Sequence, residues 1–253
     1  MDETWILLAA TALFAGFVDA VAGGGGLIQV PALFTAFPGE AAATLFGTNK
    51  GASIFGTGNA ALRYARRIAL PWRLAAPAAV AAFVFSWLGA AAVAWLPREV
   101  LRPLILVLLI LVTAYTAMKK DLGLGSPTAP PRPGMERGAA VAGAILGFYD
   151  GFFGPGAGSF LIFVFVRFFA LDFLRASAVA KVVNVATNAA ALAYFAPNGH
   201  VLWGLALLMA GFNVAGASVG SRLAISRGSG FVRRVFLLVA AVLIAKFGYD
   251  TFH

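Results

Sequence analysis

The sequence contains no cysteine among its 253 residues. This absence excludes a disulfide scaffold, a thiolate metal site and a cysteine nucleophile. Histidine is almost as scarce, since only His200 and His253 are present and neither lies in a cluster of metal-ligand residues. No serine lies in a nucleophile–base motif, and no glycine-rich motif of the ATP-binding type occurs. We therefore expect no metal, no cofactor, no catalytic residue and no direct use of ATP.

Charged residues are also few, at 11% of the chain against 61% hydrophobic residues. With a mean hydropathy of +0.88, a soluble domain of this length could not bury its apolar surface. Apolar stretches long enough to cross a bilayer of about 30 Å recur along the chain, and they are continuous rather than alternating, which indicates helices. They cover residues 5–22, 41–62, 74–96, 104–118, 138–153, 176–196, 202–219 and 231–247. The sequence thus predicts an all-α integral membrane protein within a lipid bilayer.

The chain is an internal duplication. A shift of 131 residues aligns its two halves without a gap. It superposes Gly16, Phe17, Asp19, Gly23, Gly25, Lys50, Trp72 and Arg102 on Gly147, Phe148, Asp150, Gly154, Gly156, Lys181, Trp203 and Arg233. Unrelated apolar segments would match at Ala and Leu, but rarely at Asp, Lys and Trp together. A repeat of this length in a membrane protein indicates a transporter.

Basic residues give the chain a net charge of +9, and they lie in short loops. We interpret this charge as a topology signal and expect no nucleic-acid partner. The loop at 63–73 holds four arginines and no acid, whereas its repeat mate at 194–204 holds no Lys, Arg, Asp or Glu. The basic bias flips again between loop 97–103 and its counterpart 222–234. Matched loops are therefore expected on opposite sides of the membrane, with the basic loops in the cytoplasm.

This flip predicts two repeats of inverted topology, each a glycine-broken hairpin unit followed by three transmembrane helices. The hairpin units cover residues 4–38 and 138–171, giving ten helical elements and both termini outside, in the periplasm of a bacterial inner membrane. Residues 1–118 form the first repeat, the proline-rich residues 119–137 a cytoplasmic linker, and residues 138–253 the second repeat. In this arrangement the binding site lies between the repeats, near the midplane.

Two glycine-rich breaks interrupt the hairpins. They are residues 22–26, which include Gly23 and Gly25, and residues 154–158, which include Gly154 and Gly156. Neither sequence can continue an ordinary helix, and irregular backbone at membrane depth must be buried or line a cavity. One interpretation is a tight turn packed against neighbouring helices. The other is that each break begins a half-helix whose N-terminal N–H groups bind an anion.

The helix after each hairpin carries a lysine within a membrane span. Lys50, Ser53 and Thr57 share one helix face, and the matching face of the second half holds Lys181 with Asn184 and Asn188, beside Thr187. A buried lysine is usually paired or part of a permeation path. We expect ion pairs within each half, Asp19 with Lys50 and Asp150 with Lys181, whose role is structural or coupling. The small-residue spacings Gly143…Gly147 and Gly216…Gly220 indicate helix packing instead.

The runs GFVDAVAGGGGLIQVPALF, GTNKGASIFGTGNAALRY, GFYDGFFGPGAGSFL and AKVVNVATNAAAL resemble the sulfite exporter TauE/SafE family of membrane permeases. The resemblance covers nearly the whole chain and implies movement of small anions, such as sulfite, sulfonates or related organic acids. The second half departs from the family's pattern, because Pro155 lies inside its glycine cluster and no proline matches Pro31.

The predicted function is a secondary transporter for a small anion. The alternatives are an intramembrane enzyme and an anion channel without coupled transport. A proton or a cation is the candidate coupling ion, with Asp19 and Asp150 as the residues involved, and the oligomeric state is left open, with a homodimer as one alternative. The candidate substrate-binding residues are Gly23, Gly24, Gly25, Gly26, Gln29, Asn49, Lys50, Ser53, Gly154, Gly156, Gly158, Ser159, Lys181, Asn184 and Asn188.

Overall fold

The computed structural model describes residues 3–93 and 134–252, with the backbone alone for residues 243–252. Within these ranges the protein has eight helices and no strand, which confirms the all-α class. The predicted span 104–118, the loop 97–103 and linker residues 119–133 lie outside the described residues. The helices are α1 Glu3–Ala22, α2 Gly26–Ala36, α3 Ala42–Ala65, α4 Trp72–Ala92, α5 Met135–Phe152, α6 Ala157–Phe169, α7 Phe173–Phe195 and α8 Trp203–Phe252.

The duplication is visible in the helix boundaries. Helices α2, α3 and α4 begin at residues whose numbers, raised by 131, are the first residues of α6, α7 and α8. The long helix α8 is interrupted at Gly228, whose backbone is not helical (φ 71°, ψ −169°), so it consists of two segments. Its first segment is the repeat mate of α4.

Four of the described helices, α1, α4, α7 and α8, are long and apolar enough to cross a membrane. Helices α2 and α6 are apolar but short, with 11 and 13 residues. Helix α3 has 24 residues, but its polar residues, Lys50 among them, lower its hydropathy. Large apolar side chains such as Ile6, Val80 and Ile145 face outward and are more than half exposed, as expected of a surface in contact with lipid. The protein is therefore a multi-pass membrane protein.

Each glycine-rich break is the turn of a helical hairpin, as predicted. In the first half, α2 folds back along α1, which places Gly25 against Ala15 and Leu33 in one cluster with Leu8. In the second half, the Tyr149 hydroxyl donates a hydrogen bond of 2.6 Å to the Pro155 carbonyl and closes the turn. The half-helices α2 and α6 thus begin inside the protein rather than at its surface.

Helices of the first half pack against helices of the second half. Gly143, Gly147 and Gly151 of α5 lie against Ala78, Ala82 and Ser86 of α4, in steps of four along both helices. These two helices therefore run in the same direction. The repeat mate of this contact also exists, because Gly16 of α1 lies against Asn213 of α8. The small-residue spacings are thus packing surfaces, as predicted.

The main apolar core lies beside these interfaces. It joins the end of α1 with α4, α6, α7 and α8 through large buried side chains, including Phe165, Phe173 and Phe236. The buried Tyr64 hydroxyl of α3 donates a hydrogen bond of 2.9 Å to the Ala20 carbonyl of α1. This contact fixes α3 beside the C-terminal part of α1, which carries Asp19.

A leucine at Gly147 should lower the stability of the protein. A Cβ atom at Gly147 would lie 2.5 Å from the Ala82 Cα atom, so α4 and α5 would have to separate. Overpacking of this kind costs about 1 to 3 kcal/mol. Thermal unfolding in detergent measures the loss, with Gly211→Leu as a control because nothing lies within 4 Å of its Cβ position. Equal melting temperatures for the two variants would contradict the packing.

Candidate functional site

The two glycine-rich breaks meet at the centre of the described structure. Gly23 and its repeat mate Gly154 both adopt left-handed backbone conformations (φ 76° and 92°), which favour glycine. A Cβ atom at Gly158 would lie 2.5 Å from the Gly23 carbonyl oxygen, and one at Gly26 would lie 3.4 Å from the Pro155 Cα atom. The breaks therefore touch each other, and the contact between Gly23 and Gly158 leaves no space for a side chain.

Two buried ion pairs flank this contact, and they cross between the halves. Lys50 Nζ donates to Asp150 Oδ1 at 2.7 Å, and Lys181 Nζ donates to Asp19 Oδ2 at 2.8 Å. Ion pairs are thus present as predicted, but the expected partners within each half are wrong. The physical reason is that α3 and α7 pack against each other, so the lysine of each helix lies beside the carboxylate of the other half.

Each carboxylate has a second partner from a threonine hydroxyl. Thr57 donates to Asp19 Oδ2 at 3.2 Å, and Thr187 donates to Asp150 Oδ2. The side chains of Lys50 and Asp150 are 4% and 7% exposed, and that of Lys181 is fully buried. Charges with so little access to water are stable only when they are paired and hydrogen-bonded.

A small cavity of about 30 Å³ lies between the ion pairs. By volume it holds roughly two water molecules. A tetrahedral oxyanion is larger, so its binding requires the walls to move apart. The lining residues come from both halves and comprise Asp19, Gly23, Gly26, Asn49, Lys50, Ser53, Thr57, Asp150, Gly154, Gly158, Asn184 and Asn188.

Two lining amides have unused hydrogen-bonding capacity. Asn49 Oδ1 and Asn184 Oδ1 are buried and have no partner among the described residues. Buried polar atoms normally have a partner, and an amide that turns over presents its NH₂ group at the same place. The beginnings of the two half-helices also reach this cavity, because Gly26 is the first residue of α2 and Gly158 lies in the first turn of α6. Ammonium, amide, hydroxyl and backbone N–H groups thus surround one small space, together with the paired carboxylates of Asp19 and Asp150.

Comparison with known proteins identifies the family. The model of the sulfite exporter TauE/SafE family matches residues 8–247 of the chain. The chain belongs to this family. It is a family of membrane transporters and not of enzymes, which confirms the resemblance and the expectation that the protein is not an enzyme.

Several curated relatives of this TauE/SafE protein cover nearly the whole chain. It is 35% identical over 242 residues to the probable membrane transporter protein ORF9 of Sinorhizobium sp, covering 96% of this chain and 91% of the relative. It is 35% identical over 243 residues to the probable membrane transporter protein YfcA of Escherichia coli K12, with 95% and 88% coverage. A probable membrane transporter protein of Haemophilus influenzae is 30% identical over 236 residues, with 93% and 91% coverage. No solved structure gives a significant match.

Some predicted site residues of this TauE/SafE protein do not line the cavity in the described structure. Gln29 Oε1 accepts a hydrogen bond of 3.1 Å from Asn213 Nδ2, and Ser159 Oγ donates one of 2.8 Å to the Ala22 carbonyl. Lys181 lies behind Asp19 rather than in the wall. The remaining members of this group have structural positions within the breaks, and they are Gly24, Gly25 and Gly156.

Residues near the site that were absent from the predicted set include the two threonines that bind the carboxylates, Thr57 and Thr187, and Asn213. Thr57 lines the cavity and binds Asp19. Its position on the same helix face as Lys50 was the one sequence signal for this role. Asn213 is 3% exposed in the interior of α8 and binds Gln29. The sequence signal for Asn213 was an asparagine within an apolar span, because polar residues in membrane spans are usually functional or paired.

Proposed function

We propose that this protein is a secondary transporter for a small anion, namely sulfite, a sulfonate or a related organic acid, in a bacterial inner membrane. The observation that carries the proposal is the pair of crossed lysine–aspartate contacts around a cavity where two half-helices begin. The family description and the names of the relatives support the same class of function.

The cavity offers what an anion needs when it leaves water. Dehydration costs several kcal/mol unless donors in the site replace the lost hydrogen bonds. Lys50, Asn49 and Ser53 are donors in the cavity wall, and the N-terminal ends of α2 and α6 add the positive ends of their dipoles. Lys50 lines the cavity whereas Lys181 does not, so we assign the charge contact with substrate to Lys50.

Substrate and Asp150 compete for the same ammonium group. When an anion takes the Lys50 Nζ atom, Asp150 keeps only the hydrogen bond from Thr187. A carboxylate in a buried site is unfavourable without a counter-charge, so a proton or a cation would accompany the anion and neutralise Asp150. This exchange of partners is the proposed coupling step, and it would loosen one of the two ion pairs between the halves.

We further propose that the two repeats have inverted topology. In support, Leu8 of α1 and Leu45 of α3 belong to one cluster, and Ala20 binds Tyr64 near the other ends of the same helices, so α1 and α3 are parallel.

Helix α7 relates α4 to α3. Gly47 and Gly51 of α3 lie against Phe195 and Leu192 of α7, so α3 and α7 are antiparallel. Ser86 of α4 contacts Thr187 and Ala90 lies in one cluster with Ala191, so α4 is parallel to α7 and runs opposite to α3. Since α5 is parallel to α4, it runs opposite to its repeat mate α1. The two breaks would then approach the midplane from opposite sides, with both termini in the periplasm.

Cysteine labelling tests the orientation. Because the chain contains no cysteine, a single introduced thiol reports on its own position. In intact cells, an impermeant maleimide should modify Asn198→Cys and spare Arg67→Cys, since loop 63–73 is assigned to the cytoplasm. Both should react after permeabilisation. Labelling of Arg67→Cys alone in intact cells would overturn the orientation.

Uptake into proteoliposomes tests the function itself. We expect saturable uptake of sulfite or a simple sulfonate that depends on an imposed proton or cation gradient. A carboxylate of similar size serves as the comparison for head-group selectivity. Flux that rises linearly with concentration and ignores the gradient would indicate a channel and contradict coupled transport.

A further inference from the structure

A second and larger cavity opens at the C-terminal end of α3. Its volume is about 440 Å³, and its walls come from α3 of the first half and α8 of the second. None of its lining residues lines the central cavity. They are Asn59, Leu62, Arg63, Arg66, Arg67, Arg222, Ile225 and Ser226. We refer to this cavity as the arginine pocket.

The arginine pocket contains four guanidinium groups and no carboxylate among its described lining residues. Arg73 and Arg175 are described arginines that do pair with carboxylates, and both lie outside this pocket. One pocket arginine is held in place, because Arg63 Nε donates to Asn59 Oδ1 at 3.3 Å and Asn59 Nδ2 donates to Ser218 Oγ at 2.7 Å. Four like charges around one space repel each other, and an anion between them offsets that repulsion.

The duplication shows that the fold does not require these charges. A shift of 131 residues carries Arg63, Arg66 and Arg67 to Tyr194, Pro197 and Asn198, and Arg222 has Ala91 as its mate. The corresponding positions at the opposite end of the protein therefore hold no charged residue. A packing requirement would be shared by both halves, so helix packing does not account for the arginines. The topology signal places them on one side of the membrane, and the cavity between them gives them a common space.

We propose that the arginine pocket binds the phosphate group of an anionic membrane lipid. Guanidinium groups match phosphate oxygens in charge and in their forked geometry. The pocket is far larger than a free oxyanion, and its walls include Ile225 and the half-exposed Leu62, which are apolar and can contact acyl chains. Basic pockets between membrane helices on the cytoplasmic side typically bind anionic head groups.

Lipid binding to the full-length protein in detergent tests the assignment. We expect phosphatidylglycerol to stay bound in native mass spectrometry where phosphatidylcholine does not. Arg66→Gln with Arg67→Gln should weaken phosphatidylglycerol binding roughly thirtyfold, at about one kcal/mol for each basic residue removed. The control is Arg73→Gln with Arg227→Gln, which removes the same charge outside the pocket, where Arg73 lies 3.6 Å from Glu136 and Arg227 lies over the Phe231 ring.

Two outcomes would overturn the proposal. Equal weakening in both double variants would assign the effect to general surface charge. The second outcome is a soluble-anion site: inorganic phosphate or sulfite stabilises the protein against heat, phosphatidylglycerol does not, and Arg66→Gln with Arg67→Gln removes that stabilisation. Size-exclusion chromatography of each variant ensures that folded protein is compared. Neither outcome depends on transport activity, so the test is independent of the proposed function.

Discussion

Replacement of Lys50 by glutamine should reduce anion flux by about a hundredfold or more, while the protein stays folded. Lys50 is the one lysine in the cavity wall among the described residues, and its ammonium group is the only full positive charge there. Loss of one partner from a buried, hydrogen-bonded charge contact costs about 2 to 5 kcal/mol of binding free energy. Uptake of sulfite or a simple sulfonate into proteoliposomes measures the loss, and size-exclusion chromatography checks the fold.

The crossed pairing dictates the partner variant for this experiment. Lys50 binds Asp150, so the neutral double variant is Lys50→Gln with Asp150→Asn. Lys50→Gln with Asp19→Asn would instead leave both Asp150 and Lys181 without their partners. We expect the double variant to regain stability but not flux. Lys181→Gln is the matched control, because it breaks the equivalent pair at a lysine that does not line the cavity and should affect stability more than substrate affinity. Full recovery of flux in the double variant would show that Lys50 is purely structural.

Alanine at Gly158 should strongly reduce transport. Its Cβ atom would lie 2.5 Å from the Gly23 oxygen, 2.7 Å from Gly23 Cα and 2.8 Å from Asn184 Nδ2. Two of these atoms belong to the Gly23 backbone, which cannot move away without separating the two half-helices. We expect flux to fall at least about tenfold, with a loss of roughly 1 to 3 kcal/mol in stability. Flux in proteoliposomes and thermal unfolding are measured on the same preparation.

Gly204→Ala is the control for this variant. Gly204 is helical, and nothing lies within 4 Å of its Cβ position, so a methyl group there meets open space. Gly156→Ala makes a second comparison, because its Cβ atom would meet its nearest neighbour at 3.5 Å, an ordinary contact, but its φ is +85°, so its cost is backbone strain rather than a clash. Wild-type flux in Gly158→Ala would mean that the breaks do not need to touch during the transport cycle.

The sequence predicted the helical hairpins and their repeat for a clear physical reason. Glycine and proline interrupt helices wherever they cluster, and the shift of 131 residues aligns both clusters, so the helix starts at Gly26 and Ala157 follow from the local chemistry. Helix packing through Gly143 and Gly147 was equally predictable, because small residues four apart leave a flat surface on one helix face.

The crossed ion pairs could not be predicted from the repeat. Asp19 and Asp150 are equivalent under the shift, and so are Lys50 and Lys181, so the alignment cannot distinguish pairing within a half from pairing between halves. The choice depends on how the hairpins pack in three dimensions. The same limit applies to Gln29, whose partner Asn213 is 184 residues away in the chain. The arginine pocket likewise combines α3 with α8, which no local pattern connects.

The crossed pairs also have a consequence for biosynthesis. The partners of the two ion pairs are separated by 100 and 162 residues, so the first half of the chain leaves the ribosome long before Asp150 and Lys181 exist. During that interval Asp19 and Lys50 lack the partners that neutralise them in the finished protein. An unpaired charge in an apolar environment is strongly unfavourable, so the N-terminal half should stay loosely inserted, or dependent on an insertase, until the second half arrives. Assembly of the centre is then the last event in the maturation of this protein.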